Sequence, residues 1–239
     1  MEIRLNHGSS HIKGEAIMAN HSEGIKKTEA FSNEELRWKH IPVAIAVDID
    51  PKACQIDPAI RPLRPPDQQP PLFGRAVTAA CKPPDFGAVL HALDLIGPGN
   101  VLVIAAGGHR DTAMIGEILS GHVRRRGGAG VICDGAVRDV GEIAGWDDFS
   151  VYSRFVTPRG PTSLERGAIN LPVQFGGQEI SPGDLIIGDN DGLVRLTPSQ
   201  VTGMIDDAEA KLKLEAEWIS KLEDNTPVET LFDLSPLVP

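Results

Sequence analysis

The chain has 239 residues and a formal net charge of −10 at pH 7. A chain of this length buries one hydrophobic core with room for one appended segment, and its negative charge argues against nucleic-acid binding, which needs a basic surface. Its apolar runs are shorter than the roughly 20 residues of a membrane helix, and the polar N-terminus lacks a signal-peptide hydrophobic region. We therefore expect a cytoplasmic protein that binds neither nucleic acid nor membranes.

Residues 1–30 are rich in His, Gly, Ser and Lys and have neither helical nor strand periodicity. They are predicted to form a flexible tail, within which Met18 is a plausible second start. The tail's three histidines, His7, His11 and His21, are not expected to bind a metal. Three cysteines elsewhere, Cys54, Cys81 and Cys133, have no metal-ligand spacing and are predicted to be reduced core thiols.

The folded part is predicted to open with a helix at Phe31. Ser32 and Glu35 form a capping-box pattern, and Pro42 interrupts or ends that helix. The next segment, Val43 to Val47, is compatible with either a helix or a strand. Six prolines between Asp57 and Pro71 exclude an internal helix or a central strand, so this stretch is predicted to be a surface loop or a partner-wrapping arm.

The central part of the chain is predicted to form a parallel βαβ unit. Alternation over Phe73 to Ala80 indicates a strand, and Phe86 to Leu95 indicates a helix. After the apolar strand that starts at Val101, apolar residues recur at helical spacing, with Asp111 or Thr112 as the cap. The helical positions are Met114, Ile115, Ile118, Leu119 and Val123. A buried strand over Ala129 to Cys133 and an Asp-Gly turn at Asp134 follow, and ligands usually bind at the carboxyl ends of such strands.

The C-terminal part is predicted to add antiparallel strands and a long helix. Short strands are expected at Pro172 to Phe175, Asp184 to Gly188 and Leu193 to Leu196, and the helix starts at Pro198 with Thr197 as its cap. Glu215 falls within the apolar stripe of this helix, where a carboxylate needs a partner. Glu217 falls on the opposite face.

Two short segments carry the residue types of a small-molecule site. Arg138-Asp139 follows the second strand of the βαβ unit, and Gly116-Glu117 lies 21 residues upstream. Carboxylates bind hard divalent cations directly or through water, and a guanidinium pairs with a substrate carboxylate. The structural alternatives are an exposed ion pair for Arg138 and Asp139, and a surface helix acid for Glu117.

The loop His109-Arg110-Asp111 leaves two interpretations open. Either Arg110 or the amides of Gly107 and Gly108 bind a substrate carboxylate at a helix start, or the loop is a solvated cap. Its glycines match neither the dinucleotide fingerprint nor the P-loop, which excludes both types of nucleotide site.

An ordered set of motifs resembles the 4-hydroxy-4-methyl-2-oxoglutarate aldolase family, which is similar to the regulator of ribonuclease activity A. The resemblance spans roughly Ile41 to Leu222. The motifs that carry it are Gly116 to Leu119, Val131 to Asp139, Pro158 with Gly160, and Pro172 to Gly192. Two positions depart from many relatives, since Glu117 replaces an Asp and Ile118 replaces a Leu.

The resemblance implies a fold and a role for each site residue. The fold is a swivelling β/β/α domain over residues 31–196, with a helix and tail over residues 197–239 at a subunit interface of a trimer or a dimer of trimers. Asp139 is the protein ligand of Mg²⁺ or Mn²⁺, Arg138 contacts the substrate, and the backbone amides of residues 116–119 meet the pyruvoyl group. The acids Glu117 and Glu215 act through the metal's waters, and Glu215 comes from a neighbouring subunit. Asp134 is expected to be structural.

The function expected from this resemblance is a metal-dependent retro-aldol cleavage. A class II pyruvate aldolase would cleave a 4-hydroxy-2-oxo dicarboxylic acid to pyruvate, and the same enolate chemistry would decarboxylate oxaloacetate. The alternative is a non-catalytic regulator or binding protein of the ribonuclease-regulator type. The related regulators keep the Gly-acid and Arg-Asp elements, so those motifs do not separate the two functions.

Overall fold

The computed structural model describes residues 30–50, 54–66 and 68–235. The tail predicted over residues 1–30 lies outside this part apart from Ala30, as do its three histidines and Met18. In the described part, no helix is long and apolar enough to cross a membrane.

The described chain is a mixed α/β structure with one large sheet. The helices are α1 (Asn33–Trp38), α2 (Val43–Ile49), α3 (Gly87–Ala92), α4 (Glu117–Arg125), α5 (Val140–Ile143), α6 (Pro198–Glu223) and α7 (Val228–Leu231). The strands are β1 (Arg61–Pro62), β2 (Leu72–Ala80), β3 (Asn100–Ala105), β4 (Ala113–Ile115), β5 (Gly130–Val137), β6 (Ser150–Val156), β7 (Ala168–Ile169), β8 (Val173–Phe175), β9 (Gln178–Ile180), β10 (Leu185–Gly188) and β11 (Leu193–Leu196).

The sheet has a parallel centre and antiparallel edges. Its strand order is β1-β6-β5-β3-β2-β10-β11, with β4 added on β5 and β7 on β2, while β8 and β9 form a separate pair. Strands β2, β3, β5 and β6 run parallel, which confirms the predicted βαβ pairing of β3 with β5. The antiparallel hairpin of β10 and β11 confirms the turn predicted at Asp191 and Gly192.

The core lies on both faces of the central strands. Along β3, Leu102 and Ile104 pack in one cluster, whereas Val101 and Val103 pack in the other. This alternation follows from the two-residue period of a strand, and burial of both faces explains why β3 is apolar throughout. A third cluster joins α1, α2 and α6 to β10 and β11.

Local capping signals predicted the starts of α1 and α6 correctly. Ser32 and Glu35 form the predicted capping box, as do Thr197 and Gln200 at the start of α6. The ambiguous segment after Pro42 is the helix α2. The apolar stripe of α6 is buried at Val201, Ile205 and Ala208, but Ile219 and Leu222 farther along are 58% and 40% exposed.

The predicted start of the central helix is wrong. Asp111 and Thr112 do not cap it, because Met114 and Ile115 belong to strand β4 and the helix α4 starts only at Glu117. Pairing of β4 with β5 decides the conformation, since Ala113 and Ile115 lie opposite Ala136 and Val137. The turn predicted at Asp134 is also wrong, because β5 continues through a bulge as far as Val137.

The three cysteines are free thiols, as predicted. Cys54 and Cys133 are buried, and Cys81 is partly buried. Burial raises the pKa of Cys54 to about 11 and that of Cys81 to about 12, so both thiols stay protonated at neutral pH. The proline-rich stretch forms loops and the two-residue edge strand β1 in its described residues.

Candidate active site

The two motif segments lie side by side because two short strands pair. Strand β4 runs parallel to β5, with Ile115 opposite Val137, so the residues that follow both strands emerge at the same edge. The backbone N–H of Arg138 donates to the carbonyl of Ile115 at 3.1 Å, which continues this pairing into the site. Gly116-Glu117 and Arg138-Asp139 are therefore neighbours, as the sequence predicted.

Gly116 permits the close approach of the two segments. A Cβ at this position would clash with Oδ2 of Asp139 and lie 2.9 Å from Cγ of Arg138. The φ of Gly116 is −148°, which any residue adopts, so the requirement for glycine here is steric rather than conformational. The acid at position 139 thus fills the space next to the start of α4.

Asp139 is held in place but keeps one oxygen open. It adopts the left-handed conformation, with φ 59° and ψ 35°, which Asp tolerates better than most residues. Its Oδ2 accepts a hydrogen bond from the Glu117 N–H at 3.1 Å. Among the described residues Oδ1 has no hydrogen-bond partner, and the side chain is 41% exposed, so Oδ1 is available to a cation.

Arg138 forms a loose ion pair with Asp139 and leaves its other donors open. Its Nε lies 3.6 Å from Oδ2 of Asp139, and the side chain is 40% exposed. A Cβ at Gly160 would lie 2.6 Å from Nη1, so the absence of a side chain at Gly160 makes room for the guanidinium. The guanidinium donates no hydrogen bond within the part of the chain that the structure describes, which leaves its donors for an anion.

The first turn of α4 adds two further donors. The Glu117 N–H is used by Asp139 and the Ser120 N–H by the Gly116 carbonyl. The amides of Ile118 and Leu119 have no acceptor among the described residues, as expected for the first turn of a helix. Together with the helix dipole they favour an anion at this end.

These groups line a cavity of about 220 Å³. Apart from the Arg138 and Asp139 side chains, its walls are apolar side chains and backbone. The lining comprises Ala113–Gly116, Phe86, Leu90, Ile118, Leu119, Arg138, Asp139 and Pro161. The cavity therefore combines one cationic group, one carboxylate and an apolar wall.

A buried carboxylate, Asp85, holds the far wall together. Asp85 accepts hydrogen bonds from the hydroxyl of Ser163 and from the backbone N–H groups of Gly87, Glu165 and Arg166. Burial alone would raise the pKa of Asp85, but these four hydrogen bonds outweigh it and hold the pKa well below its usual range. Asp85 thus joins the start of α3 to the loop that follows Pro161.

Sequence reasoning did not identify the wall residues Phe86, Leu90 and Pro161 or the anchor Asp85. The only local signals were the Pro158 and Gly160 motif and the Asp-x-Gly spacing of Asp85 and Gly87, which is typical of a side-chain turn. Neither signal says which distant segment the residue will contact.

The loop His109-Arg110-Asp111 does not line this cavity. The Nε2 of His109 lies 2.8 Å from the hydroxyl of Thr112 and accepts from the Thr112 N–H at 3.1 Å. Asp134 accepts from the backbone N–H groups of Ala106 and Gly107. No helix starts at this loop, because β4 follows it and α4 begins only at Glu117, so the loop neither caps a helix nor offers a helix start to an anion. The hydrogen bond from the Ala106 N–H agrees with the structural role expected for Asp134.

The two glutamates are placed differently. The side chain of Glu117 is exposed, between Gly116 and Ile118, which both line the cavity. Glu215 is partly buried on α6 and pairs with Lys211 at 3.2 Å. Helix α6 makes its main contacts with α1, α2, α7 and β11, none of which carries a residue of the cavity lining. The role of Glu215 therefore stays a prediction that needs a neighbouring subunit.

The donors at this edge fit one kind of metal ion. Among the described residues no group of three His, Cys, Asp or Glu side chains converges, which disfavours a zinc-type site. One open carboxylate oxygen suits Mg²⁺ or Mn²⁺, since Mg²⁺ keeps most of its waters and takes one or two carboxylates plus substrate oxygens. Asp139 fits that description.

Comparison with known proteins identifies relatives. The chain matches the model of RraA-like proteins, described as Aldolase/RraA, over residues 46–195. A protein of Halalkalibacterium halodurans, provisionally named a 4-hydroxy-4-methyl-2-oxoglutarate aldolase, is 32% identical over 175 residues, which cover 73% of this chain and 81% of the relative. A similarly named protein of Ectopseudomonas mendocina is 35% identical over 121 residues, which cover 51% of this chain and 74% of that relative.

Solved structures share the fold. A crystal structure of an uncharacterized protein from Pseudomonas syringae pv. tomato has a TM-score of 0.72 at 22% identity. The match covers 83% of this chain and 96% of the Pseudomonas chain. The structure of the RNA-processing inhibitor RraA from Thermus thermophilus has a TM-score of 0.57 at 27% identity. The match covers 64% of this chain and 90% of the RraA chain. These likenesses confirm the predicted α/β swivelling architecture with its βαβ core.

Proposed function

The chain belongs to the Aldolase/RraA family of RraA-like proteins, and from this membership and the cavity at Arg138 and Asp139 we propose that it is a divalent-metal-dependent aldolase. The reaction is the cleavage of a 4-hydroxy-2-oxo acid to pyruvate and a carbonyl product. The single observation that carries the proposal is that one cavity holds an open carboxylate oxygen of Asp139 beside the guanidinium of Arg138, which donates no hydrogen bond in the described part of the chain.

The chain's own residues bind and orient the substrate. The carboxylate of the 2-oxo acid pairs with the guanidinium of Arg138 and accepts from the free amides of Ile118 and Leu119 at the start of α4. Gly116 leaves room for the pyruvoyl carbons beside Asp139. Pre-positioned donors of this kind are effective where negative charge develops, because they need no rearrangement during the reaction.

Asp139 would hold the divalent ion through Oδ1, as Mg²⁺ or Mn²⁺. When bound, the ion supplies Lewis acidity for the negative charge of the pyruvate enolate. Asp139 itself stays fixed by the Glu117 N–H, so its open oxygen keeps one direction.

The cleavage step balances as a retro-aldol reaction. The bond between C3 and C4 of the substrate breaks, its electron pair passes to C3 and the 2-oxo group, and the 4-hydroxyl loses its proton as its carbon becomes a carbonyl. Glu117, exposed next to the cavity, receives that proton with the help of Glu215 from a neighbouring copy. Protonation at C3 then gives pyruvate.

The proposal therefore includes a homo-oligomer, a trimer or a dimer of trimers, with the site at a subunit boundary. In this proposal Glu215, which pairs with Lys211 on α6, acts in the cavity of a partner copy.

A second candidate function is inhibition of RNA processing, because the Thermus thermophilus relative carries that name. Measuring pyruvate released from oxaloacetate tests the two, since enolate chemistry also decarboxylates this acid. The aldolase predicts release that requires Mg²⁺ or Mn²⁺, stops with a chelator, returns when metal is restored and is lost in Arg138→Ala. Absent or metal-independent release would favour the inhibitor.

A further inference from the structure

Lys211 on α6 is the shared partner of several fixed groups. Its Nζ lies 3.2 Å from Oε1 of Glu215 and 3.5 Å from Oδ2 of Asp48, which comes from α2. The ammonium also lies over the ring of Trp218, 5.0 Å from the centroid. Phe232 packs edge-on against that ring at 5.1 Å. Two carboxylates and one aromatic face thus contact a single cation.

The contacts of Lys211 go beyond an ordinary helix ion pair. An exposed Lys and Glu four residues apart stabilise a helix only weakly, and the order found here, with Lys nearer the N-terminus, is the weaker one. Asp48 and Trp218 add contacts that restrict the Lys211 side chain, which is 25% exposed. Without the cation, the carboxylates of Glu215 and Asp48 would repel each other.

The part of α6 that carries Glu215 is suited to contact with a second copy. Ile219, four residues beyond Glu215, is 58% exposed, and Leu222 is 40% exposed. Exposed apolar side chains that cluster on a helix are typical of an interface, and the proposed function places a neighbouring copy there. A glutamate side chain has several rotamers, so one that acts across an interface benefits from being oriented in advance.

On the basis of the proposed function, we infer that Lys211 is a positioning residue for Glu215. It holds the Glu215 carboxylate in one orientation on its own copy, so that this group enters the neighbouring cavity aligned to assist Glu117 in the proton transfer. Lys211 itself touches neither the substrate nor the reacting atoms. Its loss should therefore slow the chemical step and leave substrate binding, which depends on Arg138 and the amides of α4, unchanged.

Steady-state kinetics of pyruvate release test this role. Lys211→Met should lower kcat by about tenfold and leave KM within about twofold of the wild type. Lys211→Arg should keep most of the activity, because a guanidinium can pair with the same two carboxylates. Lys213→Met is the matched control and should be fully active. It removes the same charge from the same helix, and Lys213 is exposed and makes no ion pair among the described residues.

A double-mutant cycle shows whether Lys211 acts through Glu215. In the Glu215→Gln background, Lys211→Met should have no further effect, because the carboxylate that it positions is gone. An equal loss of kcat in both backgrounds would contradict the inference, since Lys211 would then act by another route.

Mixed oligomers give a readout that a general loss of stability does not produce. Lys211→Met refolded with Asp139→Asn should recover up to about one quarter of wild-type activity, because an intact α6 then serves an intact cavity. Lys211→Met refolded with Glu215→Gln should gain nothing, since every copy carries a defective α6. Recovery in the second mixture would show that Lys211 serves the cavity of its own copy and would overturn the inference.

The outcomes also separate this inference from the proposed function. Metal-dependent pyruvate release by the wild type, together with a fully active Lys211→Met protein that melts like the wild type, overturns the inference alone. Absence of pyruvate release by the wild type overturns the aldolase and the inference with it. Should Lys211→Met fail to assemble, Lys211→Gln carries the same test with an uncharged polar side chain.

Discussion

The backbone N–H of Glu117 donates a hydrogen bond to Oδ2 of Asp139 at 3.1 Å, although the two residues are 22 positions apart. This contact joins the start of α4 to the end of β5 and leaves the other carboxylate oxygen of Asp139 without a partner among the described residues. It depends on the missing side chain at Gly116, whose Cβ would occupy the same space.

Gly116→Ala should therefore disable the site. The new methyl group would displace the Asp139 carboxylate and press on Cγ of Arg138, so kcat/KM for pyruvate release should fall about 100-fold. The free energy of unfolding should fall by about 1–3 kcal/mol, as for other overpacked positions. Steady-state kinetics and urea unfolding measure the two effects.

Gly203→Ala is the control for that variant. A Cβ at Gly203, inside α6, has no heavy atom within 4 Å, so this change should leave activity unaltered and stabilise the helix by about 1 kcal/mol. Full activity of Gly116→Ala would show that the positions of Asp139 and Arg138 do not matter for the reaction.

The shared site predicts complementation between two inactive variants. Glu215→Gln and Asp139→Asn should each lose most activity, because one lacks the residue that we propose acts in the neighbouring copy and the other lacks the proposed metal ligand. Denatured together and refolded as mixed oligomers, they should recover up to about one quarter of wild-type activity, since that share of interfaces pairs two intact residues.

Glu217→Gln provides the matched comparison, because Glu217 is exposed on the same helix. It should retain wild-type activity alone. A mixture of Glu215→Gln and Asp139→Asn that stays inactive after refolding, although each variant forms oligomers, would contradict a site shared between subunits.

Asp85 predicts a change in how stability depends on pH. Its pKa is held below the usual value by four hydrogen bonds that outweigh burial. Its contribution is therefore fully present above the unfolded-state pKa of about 3.9 and is lost as the pH falls toward the lower folded-state pKa. Asp85→Asn should lower the free energy of unfolding at neutral pH. Below about pH 4, the free energy of unfolding of this variant should fall less steeply with decreasing pH than that of the wild type.

Urea unfolding at several pH values checks this prediction, with Asp147→Asn as an exposed control. Asp85→Asn should also raise KM, since the loop that carries Pro161 loses its anchor. An unfolding curve with the wild-type pH dependence would contradict the assigned role.

Signals within a few residues of one another were readable from the sequence. The capping boxes at Ser32 and Thr197 fixed two helix starts because both partners lie within one turn. The adjacency of Gly116 and Asp139 was expected from the parallel pairing of a βαβ unit, but it arises from the pairing of β4 with β5, which the sequence did not indicate. The motifs that carried the family resemblance lie at these same strand ends.

Features decided by distant contacts were not readable. Met114 and Ile115 fit a helical period, yet they form a strand because β5 supplies a pairing edge and because the Ala113 N–H donates to the carbonyl of Arg159. The cavity wall combines α3, α4 and Pro161, and no local pattern indicates that these segments meet. The apolar wall of the cavity was therefore not predictable from the sequence.

We propose above that the open oxygen of Asp139 binds a divalent ion that the reaction needs. Asn at this position tolerates the same left-handed backbone and can still accept the Glu117 N–H, so Asp139→Asn removes the charge without removing the fold. Asp148→Asn is a control of equal charge change, since Asp148 pairs with Arg124 at the surface.

The most direct measurement is Mn²⁺ binding in the presence of pyruvate, followed by electron paramagnetic resonance, for the wild type and both variants. We expect the wild type and Asp148→Asn to bind Mn²⁺ alike and Asp139→Asn to bind it at least about 100-fold more weakly. Equal Mn²⁺ affinity in Asp139→Asn, with undiminished pyruvate release, would contradict it.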